Sequence, residues 1–293
     1  MLNNIKIIGC GYIGKKIASF LKAEGIGFHC YVKSEVSKET CLAMGYQVTQ
    51  FNLDIVGLGL NNNLLNEFNK STIAYLAPPQ RSGLTDERME NFITSLEMAQ
   101  TVPDKVILIS TSGVYGNCNG DWIDESRVAK PQAERAFRRL SAETQLIKYC
   151  EKNNVQFIVF RVPGIYASDK LPVKRITSGE PIVNAADSGY TNRIHAEDLA
   201  AICSEALLEN VKPGIYNCCD GQPSTMNDYF IKVADALNYP RPEEISLSQA
   251  RRQLSEGMLS YLAESKRMSN KKLLKNFKTK FKYPDLTSGL KSL

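Results

Sequence analysis

The chain is short of the residues that several common chemistries need. It holds only two histidines, which excludes a histidine-rich metal site. Its eight cysteines, Cys10, Cys30, Cys41, Cys118, Cys150, Cys203, Cys218 and Cys219, are scattered, and none forms a C-x-x-C pair. Several sit in apolar surroundings, where a reduced cysteine acts as a small hydrophobe, so free thiols are expected. The neighbours Cys218 and Cys219, in Tyr216-Asn217-Cys218-Cys219, read as strand residues on opposite faces. No apolar run approaches the roughly 20 residues of a membrane span, and the first residues feed straight into a strand without a basic leader. There is no repeat and no low-complexity tract. These absences point to a cytoplasmic protein with no membrane partner and no metal ion.

Acid is missing from one long stretch. Between Lys266 and Lys282 lie Arg267, Lys271, Lys272, Lys275, Lys278 and Lys280 with no carboxylate among them, in a chain of net charge +5. Such a run could attract nucleic acid. The preferred reading is a solvated C-terminal helix face with Leu273, Leu274 and Phe277 packed inward, so no nucleic-acid partner is expected.

What is present is the composition of an ordinary globular protein: 293 residues, 43% hydrophobic and 23% charged, enough for one large domain or two modest ones. The organising stretch is Ile5-Lys6-Ile7-Ile8-Gly9-Cys10-Gly11-Tyr12-Ile13-Gly14. An apolar strand breaks into G-x-G-x-x-G and then into a helix carrying Ile13, Ile17, Ala18 and Leu21 at helical spacing, with Gly25 where that helix stops. Gly9 turns out of the strand, Gly11 lets the backbone approach a pyrophosphate, and Gly14 lets helix and strand pack closely. With free N–H groups at the helix start, this is an anion cradle for a dinucleotide held by Gly9, Gly11, Tyr12, Ile13 and Gly14.

Strand-like and helix-like segments alternate to about residue 165, the pattern of a doubly wound α/β sheet. The expected strands are Ile5–Ile8, Phe28–Val32, Gln47–Phe51, Thr72–Leu76, Lys105–Ser110 and Gln156–Phe160; Glu87–Thr101 and Pro131–Asn153 read as helices. Ligands of such sheets lie beyond the carboxyl ends of the strands. After the second strand come Lys33 and Ser34, where a cation and a hydroxyl suit a 2′-phosphate, so NADP is favoured over NAD. The alternative is a solvated Lys33, with Glu35 reaching the ribose. After the fourth strand, Ala77-Pro78-Pro79 forms a rigid wall beside the cofactor. After the fifth, Ser110-Thr111-Ser112-Gly113-Val114-Tyr115-Gly116 is the hydroxyl-rich chemical centre. Beyond Tyr166 the alternation stops, which places a Rossmann domain at 1–165 and a smaller mixed α/β substrate domain at 166–293. A helix within 193–209 is expected to pack back on the first domain.

On these residues, together with Arg161 to Tyr166, Arg193-Ile194-His195 with Asp198, and Gly214-Ile215-Tyr216-Asn217, the chain resembles the short-chain dehydrogenase/reductase superfamily. The likeness is to its NAD(P)-dependent epimerase/dehydratase branch and to the atypical members of it. The resemblance implies a Rossmann fold, an NAD(P) cofactor, a small hydroxyl or carbonyl substrate of the sugar-nucleotide kind, and a homodimer built from two helices per subunit. It also implies a Ser or Thr with a Tyr-x-x-x-Lys pair, in which the lysine depresses the tyrosine pKa for proton exchange. Thr111 matches the hydroxyl position, but Arg135 stands where the tyrosine should be and Arg139 where the lysine should be. Arginine stays protonated and cannot exchange that proton. The other Y-x-x-x-K matches, Tyr12 with Lys16 and Tyr166 with Lys170, read as accidents of spacing.

Two readings of the arginines stay open. They are paired within the helix, Arg139 with Glu143 and Arg138 with Glu134, or Arg135 and Arg139 face the cleft and bind phosphate or carboxylate. The expected assignment is Thr111, Ser112 and Tyr115 as the catalytic group, Arg139 on the cofactor, and Arg135 and Arg193 on the substrate. Tyr190 and His195 are alternative proton carriers, and His195 also reads as ordering the domain junction. The function expected is an NAD(P)-dependent oxidoreductase or epimerase-like enzyme. Its rival is a non-catalytic NADP(H)-binding sensor or scaffold.

Overall fold

Seven parallel strands form the central sheet of the computed structural model, which describes residues 4–55 and 62–291. In chain order these are β1 (Ile5–Ile8), β2 (Phe28–Val32), β3 (Val48–Gln50), β4 (Thr72–Tyr75), β5 (Lys105–Thr111), β6 (Gln156–Val162) and β7 (Gly214–Asn217). Their spatial order is β7-β6-β5-β4-β1-β2-β3. The direction of winding reverses between β1 and β4, and in sheets of this kind the crevice at that reversal receives the ligand.

The strands are apolar on both faces because helices cover both. Ile7 joins a core with Ile17 and Leu21 of α1 (Tyr12–Ala23). The next residue, Ile8, joins a separate core with Tyr75, Phe92 and Leu108. Successive residues serve opposite layers, as the pleat requires. The helix α2 (Glu35–Ala43) adds Cys41 to the first core. On the second face lie α3 (Glu87–Met98) and the 20-residue α4 (Glu134–Asn153), which ends at left-handed Asn154. The helix α5 (Ala196–Leu208) packs against α1.

The sheet does not stop at residue 165. Its last strand, β7, comes from beyond that point and pairs with β6 from Gly214↔Ile158 to Asn217↔Arg161, so the expected boundary is crossed by the chain. Helix and strand ends shift by a few residues; β5 runs on to Thr111, whose side chain caps the following turn by accepting from Gly113 N at 3.2 Å. The cysteines are free and buried, and β7 ends just before Cys218. The remainder is made of short pairs, including Gly164–Tyr166 with Arg193–His195 and Trp122–Ile123 with Arg267–Met268. It also contains the helix Met226–Ala236. Among the described residues no helix is long and apolar enough to cross a membrane.

The lysine-rich tail differs from the expected helix face. Only Lys271–Asn276 is helical there, Leu273 and Phe277 are buried, but Leu274 is exposed. Lys266 is buried and points inward, donating to Gly116 O at 2.7 Å.

Candidate cofactor and substrate site

The crevice begins where β1 ends. Gly9 has φ +83°, and a Cβ there would lie 2.5 Å from Ala77 N, so only glycine fits between the ends of β1 and β4. At Gly14 a Cβ would press on Gly9 O and Leu76 Cδ1, both at 3.2 Å, which ties α1 tightly to the strands. Gly11 is different: a Cβ would meet nothing nearer than Gly9 O at 3.9 Å. The space above it is open. Gly11 caps α1 without a side-chain bond, and the first turn holds no acid, so the free N–H groups of that turn present positive potential to an anion. Ile13 packs its side chain into the core. Tyr12 donates its hydroxyl to Asp169 Oδ1 at 2.5 Å, and burial together with that carboxylate raises its pKa. The Tyr12 and Lys16 spacing therefore makes no proton carrier.

Beyond β2, Lys33 pairs with Asp54. Arg88 reaches the same carboxylate through Nε at 2.5 Å and donates to Pro78 O at 2.9 Å and Pro79 O at 3.4 Å. The hydrogen bonds from Arg88 and Lys33 pull the Asp54 pKa down to about 2. Two cations thus share one carboxylate. Ser34 caps α2 by accepting from Ser37 N at 3.3 Å, and Glu35 turns to Lys38 at 2.9 Å. Asp54 and Arg88 escaped the sequence reading because the first follows β3 and the second opens α3, far from Lys33 in the chain.

The wall and α4 meet through Arg139. Its Nη2 donates to Ala77 O at 3.2 Å, while its Nη1 is buried without a partner among the described residues. Glu143 does not pair with it. Glu143 is held by Arg161, with Nη2 to Oε2 at 2.7 Å and Nε at 3.2 Å, and it accepts from Ser110 Oγ. Arg138 does pair with Glu134, at 3.3 Å, but as a buried side chain rather than a surface one.

One turn before Arg139, Arg135 enters a separate cavity of about 290 Å³. Thr111, Ser112, Arg193, Tyr190, Glu264 and Lys266 line it as well. Arg135 donates Nη1 to Ser260 Oγ at 2.9 Å and lies 4.1 Å from the ring centre of Tyr261. Arg193 lies 3.5 Å from the ring centre of Tyr229 and donates to Thr191 Oγ1 at 3.2 Å. Lys266 Nζ is 2.5 Å from Glu264 Oε2. Larger grooves, one of about 770 Å³ around Trp122 and one of about 670 Å³ beside Tyr12, contain neither these hydroxyls nor these arginines. The Lys266–Glu264 pair escaped the sequence reading, since Lys266 is one cation among eight in its run.

Tyr115 is not in the cavity. It is buried, donates its hydroxyl to Asn217 Oδ1 at 2.7 Å and lies under Arg161, 4.7 Å from its ring centre. Burial pushes its pKa up to about 12. The short turn after Thr111 swings it toward β7, so its hydroxyl faces Asn217 and not the cavity. His195 also lies outside. Its Nδ1 caps α5 by accepting from Glu197 N at 3.3 Å, and its ring packs between Tyr166 and Tyr283 at centroid distances of 5.1 and 3.9 Å. Asp198 next to it accepts from Lys282 N and Tyr283 N at 2.7 and 3.0 Å, pinning the C-terminal segment.

Close to Arg193 sits a buried acid. Asp220 accepts from Gln222 N through Oδ1 at 2.9 Å, but its Oδ2 is buried without a partner among the described residues. Burial raises its pKa to about 7. The unfolded chain ionises this group near pH 4, so between about pH 4 and 7 the unfolded state sheds a proton that the folded state keeps. Stability is therefore lost as pH rises through that window and then levels off. Asp220→Asn, which keeps the acceptor and never ionises, is expected to raise stability at pH 8 on the order of 2 kcal/mol. At pH 4 it should leave stability nearly unchanged. Urea unfolding at the two pH values checks this.

Comparison with known proteins adds to the geometry. A model of the NAD dependent epimerase/dehydratase family matches residues 5–219. A functionally unknown conserved protein from Silicibacter pomeroyi DSS superposes with a TM-score of 0.81 at 23% identity, covering 98% of this chain and 96% of that one. UDP-N-acetylglucosamine 4-epimerase from Bacillus cereus gives 0.75 at 15% identity, and UDP-glucose 4-epimerase from Thermus thermophilus, solved with NAD, gives 0.72 at 18%. Both cover 98% of this chain and 96% of theirs. At such identities the likeness is one of fold. No curated protein matches the chain.

Proposed function

We propose, from the premise that the chain belongs to the NAD dependent epimerase/dehydratase family, that it is an NADP-dependent oxidoreductase or epimerase acting on a small hydroxyl or carbonyl compound. The observation that carries this reading is the course of α4. Arg139 is bonded to the wall at Ala77, while Arg135, one turn earlier, lines the cavity with Thr111 and Ser112, so cradle and cavity adjoin. The orphaned Nη1 of Arg139 and the open space over Gly11 fit a dinucleotide. When bound, that cofactor supplies a hydride acceptor or donor.

The chain's own residues do the rest. Tyr12, Ile13 and Gly14, which open α1, offer their backbone N–H groups to the pyrophosphate, those of Gly9, Cys10 and Gly11 being taken by Tyr31 O and Gly9 O, and Arg139 holds the ribose beside Ala77. Lys33 and Arg88 offer two cations, against the one charge of Asp54, for a 2′-phosphate. Thr111 and Ser112 orient the substrate oxygen, and Arg135 stabilises negative charge on it without exchanging a proton. The proton that leaves that hydroxyl goes to the Glu264 carboxylate, the one carboxylate that lines the cavity, with the Lys266 ammonium beside it. The substrate side is built from residues after 166 together with α4 and the turn after β5.

Lys33→Ala is expected to weaken NADPH binding about tenfold, the loss of one charge-assisted hydrogen bond, and to leave NADH unchanged. Fluorescence titration of wild type and Lys33→Ala with both cofactors checks this. Equal loss for the two cofactors sinks the 2′-phosphate reading. A screen of hydroxy and oxo compounds by nicotinamide absorbance tests catalysis; NADPH binding without any turnover favours the non-catalytic sensor instead.

A further inference from the structure

The cavity beside Thr111 carries an imbalance of charge. Three cations, Arg135, Arg193 and Lys266, line it with one carboxylate, Glu264, and Lys266 takes up that carboxylate. Among the described residues neither Arg135 nor Arg193 has an ion-pair partner. Arg193 is 7% exposed and its Nε is buried with no acceptor. Its other contacts are a hydroxyl, the Met226 sulfur at 3.7 Å and the face of Tyr229. A buried cation without an anion is costly and is retained in folded proteins chiefly where something pairs with it. Burial pulls the Arg193 pKa down. Its neighbour Asp220 makes no ion pair with it, and Asp220 Oδ2 is itself buried without a partner among the described residues.

Arg135 shows the same feature by different means. Its guanidinium is stacked on Tyr261 and fixed by one hydroxyl, so the plane is oriented while most of its donors stay unused. An arginine fork held this way matches the two oxygens of a carboxylate or phosphate. The cavity, about 290 Å³, lies at the lower end of the roughly 300–1,000 Å³ that small-molecule sites occupy, which suits a compact molecule.

We infer that the substrate is a small acid carrying about two negative charges, gripped at its carboxylate or phosphate end by Arg135 and Arg193, with its hydroxyl or carbonyl carbon presented to Thr111 and Ser112. This rests on the cofactor reading above, and the two arginines divide the work. Arg193, locked against Tyr229, fixes one anionic group at the far wall. Arg135, which lines the cavity with Thr111 and Ser112, holds the charge on the side of the reacting oxygen. A nucleotide-linked substrate is not needed to satisfy either.

The test is calorimetric titration of the NADPH-saturated protein, so that anion sites of the cofactor are already filled. Malonate and inorganic phosphate serve as probes, with uncharged malonamide as control. Binding of one of the anions, no binding of malonamide, and a loss of about tenfold or more in both Arg135→Gln and Arg193→Gln are the expected results. Preference for malonate over phosphate identifies a carboxylic acid, and the reverse a phosphate ester. If Arg193→Gln does not fold, Arg135→Gln alone decides. Malonamide binding as well as malonate, or neither anion binding, overturns the inference while NADPH binding still stands. If NADPH itself does not bind, the cofactor reading fails instead, and the same titration of the free protein and of Arg135→Gln decides the anion site by the same criteria.

Discussion

Glu143→Ala is expected to destabilise the folded chain by about 3–5 kcal/mol. Glu143 is 1% exposed and is the only carboxylate bonded to Arg161, itself buried, among the described residues. Arg161 lies over Tyr115, and Tyr115 holds Asn217 of β7. Removing the carboxylate leaves a full charge in an apolar interior with one ring face for company, and frees Ser110 Oγ from its acceptor. A domain of this kind has only about 5–15 kcal/mol in total, so the loss removes a large fraction of its stability. The double variant Glu143→Ala with Arg161→Met removes the stranded charge and is expected to recover much of the loss, since the penalty lies in the uncompensated cation more than in the lost bond. Urea denaturation of wild type, single and double variants measures the coupling. A single variant costing under about 1 kcal/mol contradicts the assignment.

Gly11→Ala is expected to do the opposite: to leave the fold nearly intact and to weaken dinucleotide binding about a hundredfold. The new Cβ meets no atom nearer than 3.9 Å in the protein, so little within the fold resists it. It occupies the space through which a pyrophosphate approaches the N–H groups at the start of α1, and each charge-assisted bond lost there removes about 1.5–3 kcal/mol, roughly one to two factors of ten in affinity. Gly9→Ala offers the contrast. Its Cβ would strike Ala77 N at 2.5 Å from a φ of +83°, so it should damage the junction of β1 and β4 and lower the melting temperature whether or not cofactor is present. Parallel thermal melts and cofactor titrations of the two variants separate a binding glycine from a folding one.

Much of this was readable in the chain because it is local. The run from Ile5 to Gly14 specifies strand, turn and helix within ten residues, and the alternation of strands and helices to Val162 follows from burial on both faces of a parallel sheet. What was not readable depends on distance in the sequence. Glu143 stands four residues after Arg139, where helical spacing offers a pair, yet it turns to Arg161 across β6 because a buried carboxylate takes the cation that is buried with it. Tyr115 follows Thr111 closely in the chain, and a single short turn puts it on the other side of the floor. Lys266 sits in a run of cations that reads as solvated, and a two-residue strand beside Trp122–Ile123 carries it into the cavity. Asp54, the carboxylate between Lys33 and Arg88, has no local signature at all.

The central claim is that the glycine loop binds a nicotinamide dinucleotide. Calorimetric titration of the wild-type protein with NADPH tests it most directly. The account predicts one site per chain, tighter for NADPH than for NADH and nearly abolished by Gly11→Ala. A folded protein that takes up neither NADPH nor NADH contradicts it, and the open space over Gly11 would then be only the geometry of a tight turn.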